Sequence, residues 1–473
     1  MDAITMDAAY REYLETLPLA SLRVLGRESG VPQATAINKD ALIEEIVAVL
    51  MGQKLPVPRS NKGAPAKQIY LDPVIQKTLA DIRMRFLQDE EKNVFAVHDS
   101  APVFDSPVYA GILEVLPSGY AFVRVNNCQP TSGGDVFVPA PFLHAHGLRH
   151  GDRVACTVSP QVANGSPAIA ELLSVNNIPF CNTQNRRKFD QLTACYTNEQ
   201  IKLSEKDDAL SLRVLDLFVP IGKGQRTLIV APPKAGKTTL IKDIARAVSE
   251  HHRDIQLIVL LIDERPEEVT DIRMSVDAAE VVYSTFDEGA EHHIRAAELT
   301  LAHAKRLVEM GSDVMILLDS ITKLTRAYNS VIEGTGRTLT GGLDVGALTE
   351  PKRFFGAARN TTEGGSLTII ATSLVETGSR MDDVIYEEFK GTGNADIFLS
   401  RELAEKRIFP AIDLVRSGTR KEELLLHGEE LEAAIALRQE GYVSRPEQIF
   451  EEMKKSESNA DFAKKINAKL TKK

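Results

Sequence analysis

The sequence predicts a multidomain α/β chain: a small N-terminal helical unit, a small β-barrel, and a larger domain on a mostly parallel sheet. Three observations carry this. From about residue 211, apolar strand-like runs alternate with helical stretches, the pattern of a parallel sheet whose crossovers are helices. Residues 108–178 hold short β-like runs at 111–116, 120–125, 135–138, 153–158 and 169–175, which suggests a barrel of the OB type. Residues 11–50 repeat apolar side chains at helical spacing.

Taken in order, Tyr13-Leu14, Leu17, Leu22 and Leu25 make a first helical stripe. Leu42-Ile43, Ile46-Val47 and Leu50 make a second, after the helix start Asn38-Lys39-Asp40. A unit of this size, 1–50, is expected to bury hardly any core alone. Residues 51–107 read as a linker or insertion: 54–67 are rich in Pro, Lys, Gly and Ser, and 73–92 form a charged helix-like piece. In the barrel, 108–178, the turns are Pro117-Ser118-Gly119 and Gly133-Gly134. A polar connector with Arg186-Arg187-Lys188 covers 179–210, and the largest domain, with C-terminal helices, covers 211–473.

Composition narrows the class. A hydrophobic share of 43% with 26% charged residues is that of an ordinary globular chain. No apolar run approaches the ~18 residues of a membrane span, and residues 1–10 lack a signal pattern. The expectation is a cytoplasmic protein with no membrane partner. Cys128, Cys156, Cys181 and Cys195 have no metal-like spacing and read as reduced thiols. A net charge of -10 argues against indiscriminate coating of nucleic acid, but leaves room for a local site.

The most informative segment is Ala231-Pro232-Pro233-Lys234-Ala235-Gly236-Lys237-Thr238-Thr239. It lies between an apolar strand, 227–230, and a helical run, 240–249. A strand, a tight turn and a helix form a phosphate cradle: backbone N–H groups face an anionic chain, Lys237 reaches the β- and γ-phosphates, and Thr238 can hold Mg²⁺. The motif's usual opening glycine is replaced by Ala231. Two more apolar strands end in acids, 255–262 in Asp263-Glu264-Arg265 and 314–318 in Asp319-Ser320. Ligands of open α/β sheets sit beyond the carboxyl ends of the strands, so both acids project toward the same phosphates. Asp319 fits the acid that holds Mg²⁺ and its waters; Glu264 fits the group that orients the attacking water. Asp263 reads as a helix cap.

Longer runs extend the reading. Pro220-Ile221-Gly222-Lys223-Gly224-Gln225-Arg226, Leu261-Ile262-Asp263-Glu264-Arg265-Pro266-Glu267-Glu268-Val269-Thr270, Arg353-Phe354-Phe355-Gly356-Ala357-Ala358-Arg359-Asn360, Tyr386-Glu387-Glu388-Phe389-Lys390-Gly391-Thr392-Gly393-Asn394 and Arg416-Ser417-Gly418-Thr419-Arg420-Lys421-Glu422-Glu423 resemble the Rho family of bacterial transcription termination factors. The resemblance is dense over 211–430, sparser over 108–178, weak over 11–50 and absent over 51–107. It implies a RecA-type ATPase domain, a homohexamer, and an ATP-dependent RNA helicase that strips transcripts from the RNA polymerase complex.

The same resemblance implies site residues. Lys234 and Lys237 match phosphate-contacting lysines within Lys234, Ala235, Gly236, Lys237, Thr238 and Thr239; Thr238 and Asp319 match the metal site, Glu264 the catalytic glutamate, and Arg265 a nucleotide-contacting arginine. Gly222, Lys223, Gly224, Gln225, Arg226 and Thr227 match a segment of the nucleotide pocket, although the residues themselves read as a turn into the first strand. Phe409 matches the aromatic on adenine. Arg420 matches an arginine given to the neighbour's γ-phosphate, with Arg407 nearby in a related role.

For RNA, the barrel holds Gly119, Tyr120, Ala121, Phe122, Val123 and Arg124. Alternation along a strand puts Tyr120, Phe122 and Arg124 on one face, a stacking platform for single-stranded bases with a cation for phosphate or base edges. Asp135, Val136 and Phe137 match further members of the family's primary RNA site. Pro167-Ala168-Ile169 stands where the family usually has Glu-Arg-Tyr, so the resemblance does not carry over the usual base-reading contacts there, nor the pyrimidine preference. Residues 333–342, with Arg337, Thr338 and Gly341, match one channel-lining loop, and 377–381 a second, with Arg380 where a lysine is common. The pairs His251-His252 and His292-His293 and the lysine-rich tail 464–473 read as surface. Two rival readings share parts of this pattern. A rotary or secretion-type ring ATPase lacks the aromatic face, and a nonenzymatic RNA-binding regulator does not need Lys237, Thr238, Glu264, Asp319 and Arg420.

Overall fold

The computed structural model describes residues 6–28, 31, 37–50, 108–131, 134–163, 166–179, 186–205, 209–276, 279–334 and 336–470. The expected linker and charged helix within 51–107, together with Cys181, lie outside them.

The N-terminal unit consists of helices Met6–Thr16, Leu19–Glu28 and Lys39–Leu50. Asn38 starts the third, its side chain accepting from the Ala41 N–H at 2.9 Å. Contrary to expectation, the unit closes its own core. Tyr10, Leu14, Leu22, Leu42 and Ile46 are all at most 2% exposed, because the stripes of three helices face one another.

In the second unit, the barrel strands are β1 (Val108–Val115), β2 (Ala121–Arg124), β3 (Val136–Val138), β4 (Arg153–Ala163) and β5 (Ser166–Val175), in the order β3-β2-β1-β4-β5. The sheet closes where Phe137 of β3 pairs with Ala168 of β5. Ala121, Val123, Val136, Val138 and Val154 fill the interior. A Cβ on Gly111 would stand 2.2 Å from the Arg124 carbonyl oxygen, so only glycine allows β1 to cross β2 this closely. A helix not read from the sequence, Ala140–His146, joins β3 to β4 and ends on left-handed Gly147.

The large domain is built on six parallel strands in the order Glu280–Thr285, Ile255–Glu264, Asp313–Asp319, Ser366–Leu374, Arg226–Ala231 and Ala395–Phe398, with Gly418–Thr419 antiparallel at the far edge. Alternate side chains divide between two cores: Ile229, Val259, Leu317 and Ile397 on one face, Val230, Leu260, Leu318 and Ile369 on the other. Both faces are covered by helices, which is why the strands read as unbroken apolar runs. C-terminal helices Gly428–Gln439, Pro446–Lys454 and Asn459–Leu470 join the first of these cores. Arg213, buried on helix Leu210–Phe218, donates to the Met453 and Ser456 carbonyls at 2.9 Å each.

The connector is held along the domain. Ala194–Cys195 pairs with Arg359–Thr361 as an added edge strand, Phe189 is buried, and Arg186 forms a bidentate ion pair with Asp152. Cys128, Cys156 and Cys195 are free thiols. Burial pushes Cys128 and Cys156 up to about 12, which keeps both protonated.

Candidate functional site

Strand Arg226–Ala231 ends beside Leu374, and helix Lys237–His251 starts after the turn 232–236. Two residues of that turn are left-handed, Lys234 at φ 65° and Gly236 at φ 92°. Gly236 is the helix N-cap and offers no side chain to the first-turn N–H groups, the arrangement that suits an anion. Ala231 is an ordinary paired strand residue, fully buried. Its position needs no glycine.

The strand-end acids gather around Lys237. Its Nζ donates to Asp319 Oδ1 at 2.6 Å and stands 4.0 Å from Glu264 Oε2. Thr372 Oγ1 also donates to Asp319 Oδ1, at 2.8 Å. Asp319 is 1% exposed and Glu264 5%. Burial pulls the Lys237 ammonium down, but Asp319 first, then Glu264 and Glu268, outweigh it and raise its pKa. Burial and then the Glu264 charge push Glu268 up, and Thr238 Oγ1 donates to Glu268 Oε2 at 3.4 Å. Three carboxylates thus share two ammonium groups, because Lys323 Nζ donates to Glu264 Oε2 at 2.9 Å and to the Asp263 carbonyl at 2.7 Å.

Sequence reasoning missed Lys323, Glu268 and Thr372. The available signal for Lys323 was its spacing: four residues after Asp319, one turn into helix Ile321–Val331, which starts at the strand end.

A cavity of about 340 Å³ joins the phosphate loop to Phe409, with Ala235, Gly236, Thr239, Asp243 and Pro410 among its walls. Phe409 is 50% exposed, an apolar ring open to a planar ligand. A larger cavity, about 470 Å³, lies among the C-terminal helices and contains none of these residues. Lys234, in the phosphate loop, and Arg265, next to Glu264, are exposed; Arg265 is the N-cap of helix Pro266–Ser275.

One expected part of the pocket stands elsewhere. Thr227 pairs with Ala395, and Ala395 with Thr419, so Gly222, Lys223, Gly224, Gln225, Arg226 and Thr227 lie at the amino ends of the strands, opposite the phosphate loop. Their glycines serve packing: a Cβ on Gly224 would stand 2.1 Å from the Asn360 nitrogen. Lys223 pairs with Asp313 at 2.9 Å, at the other end of the strand from Asp319. Arg420 belongs to this same end, its N–H donating to the Asn394 carbonyl at 2.9 Å. Five strand steps of ~3.3 Å separate Arg226 from Ala231, so Arg420 is at least about 17 Å from the phosphate loop of its own chain.

The exposed side chain of Arg420 makes no hydrogen bond or ion pair among the described residues. Arg407, left-handed at φ 60°, lies instead just before Phe409 at the phosphate-loop end. The expected neighbourhood of Arg407 and Arg420 is corrected by the downward run of the chain between them, from the bridge Leu399↔Ile412 to the pair Asp396↔Gly418.

On the barrel, Tyr120, Phe122 and Phe137 form a half-buried aromatic triad with ring centroids 5.5 to 5.9 Å apart. Gly119, left-handed at φ 89°, turns the chain into β2. Ala121, Val123 and Val136 point inward. Arg124 shares the aromatic face, 4.8 Å from the Phe122 centroid, but it is not a free cation. It is 8% exposed and paired with Glu114 at 2.5 Å and Asp135 at 2.7 Å. Asp135, 1% exposed, also accepts from the Thr131 N–H and hydroxyl. The face therefore offers ring surfaces over a compensated ion pair. The cation expected for phosphate or base edges thus carries two carboxylate partners, because a guanidinium under a ring needs counter-charge once it leaves water.

The two expected channel loops touch. A Cβ on left-handed Gly341 would stand 2.6 Å from the Met381 nitrogen and 2.9 Å from the Arg380 carbonyl carbon. Thr338 starts a two-residue hairpin with Leu343–Asp344, and Arg337 and Arg380 are exposed. Helix Ile321–Val331 leads from Asp319 to the first loop. Its Arg326 is bidentate to Asp382 at the base of the second, at 2.9 and 2.5 Å.

Comparison with known proteins agrees with this division. A family model described as "Rho termination factor, RNA-binding domain" matches residues 109–181. One described as "ATP synthase alpha/beta family, nucleotide-binding domain" matches residues 211–419. The chain is 44% identical to transcription termination factor Rho of Aquifex aeolicus (strain VF5) over 468 residues, 97% of this chain and 96% of that protein. It is 52% identical to the Bacillus subtilis (strain 168) protein of that name over 361 residues, 76% and 84% of the two chains. It is 50% identical to the Escherichia coli (strain K12) protein of that name over 363 residues, 74% and 86% of the two chains.

Proposed function

The chain belongs to the Rho family of transcription termination factors, and from that premise we propose a homohexameric, ATP-driven translocase that draws single-stranded RNA through a ring and releases it from RNA polymerase. It is an RNA-binding termination factor with a nucleotide-binding ATPase domain. No helix among the described residues is long and apolar enough to cross a membrane; we place the protein in the cytoplasm, with nascent RNA.

One observation carries the motor reading: Asp319 and Glu264, from two strand ends, lie within 4.0 Å of the Lys237 ammonium of the phosphate loop. The first-turn N–H groups and Lys237 receive the β- and γ-phosphates of ATP. Thr238 and Asp319 would hold Mg²⁺, and the excess carboxylate around Lys237 and Thr238 suits a dication. Mg²⁺ needs few protein ligands when phosphate oxygens and water complete its shell, and when bound it supplies charge neutralisation at the phosphates. Glu264 orients the attacking water and accepts its proton, Phe409 packs on adenine, and Lys234 and Arg265 flank the phosphates.

Arg420 serves the next subunit's nucleotide, with the segment 222–227 beside it on that interface. Its distance from its own loop supports the assignment. Helix Ile321–Val331 ties the metal-site acid to the first channel loop, and Val375, which follows Leu374, donates to the Ala231 carbonyl at 3.2 Å. Both loops are therefore positioned to move with nucleotide state. The domain plan, 1–50, 51–107, 108–178, 179–210 and 211–473, assigns first capture of RNA to the aromatic face and translocation to the two loops.

The test is steady-state ATP hydrolysis with and without polycytidylate or polyuridylate RNA. A large RNA-dependent rise, absent in Lys237→Ala, is expected. Hydrolysis indifferent to every RNA would overturn the reading in favour of another ring ATPase.

A further inference from the structure

The carboxylate of Glu114 has two masters. It sits on β1 opposite Phe122 of β2, is 8% exposed, and has no part in the nucleotide cluster. Its Oε2 takes the Arg124 guanidinium at 2.5 Å, the group that lies under the Phe122 ring. Its Oε1 takes Arg295 Nε at 3.2 Å, and Arg295 belongs to helix Ala290–Val308 of the ATPase domain. A single carboxylate thus holds the floor of the aromatic face with one oxygen and the motor with the other.

The turn after β2 docks on the same part of the motor. Asn127, left-handed at φ 47°, exchanges two hydrogen bonds with the backbone of Tyr283, at 2.7 and 2.9 Å. Gln129 donates to the His292 carbonyl at 3.1 Å. Tyr283 lies on the strand whose Thr285 pairs with Glu264, and the Phe286 N–H donates to the Glu264 carbonyl at 3.1 Å. The contacts from the barrel therefore end one strand away from the backbone that carries the water-orienting glutamate.

We propose that Glu114 is a positioning residue that couples the barrel's RNA-binding face to the ATPase domain, through Arg124 on one side and Arg295 on the other. RNA stacked on Phe122 presses on a guanidinium whose counter-charge is shared with the motor helix, so seating RNA shifts the preferred position of that helix. Among the described residues Arg295 pairs with Glu114 and belongs neither to the cluster around Lys237 nor to the aromatic face, so its substitution tests the coupling alone. This rests on the barrel being the RNA site of the proposed function.

The experiment measures three quantities on the full chain: basal ATP hydrolysis, its RNA-stimulated rate, and the affinity of a short fluorescein-labelled oligocytidylate for the barrel. Arg295→Gln is expected to keep basal hydrolysis and to lower RNA stimulation by at least about fivefold, the lower range of site-to-site coupling. Asn127→Ala, which breaks the second contact, is expected to lower stimulation in the same direction. Glu114→Gln is expected to lose both stimulation and oligonucleotide affinity, because Arg124 loses one of its two carboxylate partners and keeps only Asp135.

A double variant, Glu114→Gln with Arg295→Gln, should be no worse in stimulation than Glu114→Gln alone, since both break one link. Full stimulation in Arg295→Gln and Asn127→Ala, with basal activity intact, overturns the proposal. A wild-type chain that does not bind the oligonucleotide at all would instead refute the RNA reading of the barrel.

Discussion

In the proposed ring Arg420 stands too far from the phosphate loop of its own chain to serve it, and this gives a sharp test. Its backbone is hydrogen-bonded to Asn394 at the amino end of the strand Ala395–Phe398, while the phosphate loop follows Ala231 at the carboxyl end of the adjoining strand. The separation of about 17 Å along the strand is more than an arginine side chain spans. An arginine supplied by a neighbour typically contributes about 10³- to 10⁵-fold to hydrolysis, so Arg420→Ala rings should be nearly inactive, as should Lys237→Ala rings, which lose the ammonium at the β- and γ-phosphates.

Mixed rings separate the two geometries. At an interface where an Arg420→Ala subunit provides Lys237 and a Lys237→Ala neighbour provides Arg420, the site is whole. Random equal mixing makes about one interface in four of this kind if the arginine acts across subunits. If it acts within its own subunit, no site is whole. The assay is ATP hydrolysis by the two variants, unfolded together and reassembled at equal ratio with saturating RNA. Recovery approaching a quarter of the wild-type rate is expected. A mixture no more active than either variant alone, in rings shown to be mixed, would refute the assignment.

Other predictions follow from the same geometry. Glu264→Gln should keep ATP binding while lowering turnover by about 10²-fold or more; equilibrium binding of a fluorescent ATP analogue and single-turnover hydrolysis check the two halves. Phe122→Ala and Phe137→Ala should each weaken a short oligonucleotide by about 1–3 kcal/mol, the worth of one stacked base, measured by fluorescence anisotropy. Asp216 is buried, and burial raises its pKa to about 6 from 3.8 despite bonds from Leu203 and Ser204. A carboxyl raised on folding stabilises below its unfolded pKa and loses that contribution as pH rises through the folded value, here about 3 kcal/mol between pH 4 and 7. Wild type should therefore gain stability relative to Asp216→Asn when denaturant midpoints are compared at pH 7.5 and pH 5; parallel midpoints would contradict the burial argument.

Much of the fold was legible because it rests on local signals. The left-handed turn before Lys237 needs Gly236, the unbroken apolar runs announce strands covered on both faces, and Asp319 and Glu264 close such runs. The alternation that put Phe122 and Arg124 on one face held in the structure for the same reason: a strand has period two whatever surrounds it. The closed core of the three N-terminal helices was not legible, since each stripe alone is too small and only their mutual packing buries Leu14, Leu22 and Leu42.

By itself, the sequence determined the phosphate loop, the acids at the strand ends, the barrel and its aromatics, because each depends on backbone conformation or periodicity over a few residues. Only the tertiary structure decided which groups meet. It laid Lys323 on Glu264, buried the charge of Arg124 between Glu114 and Asp135, set Gly341 against Met381, and put the segment 222–227 and Arg420 at the end of the sheet away from Lys237. The physical reason is strand order. Neighbours in this sheet are far apart along the chain, as Asp313–Asp319 is from Ser366–Leu374, and no local propensity records which strand lies beside which.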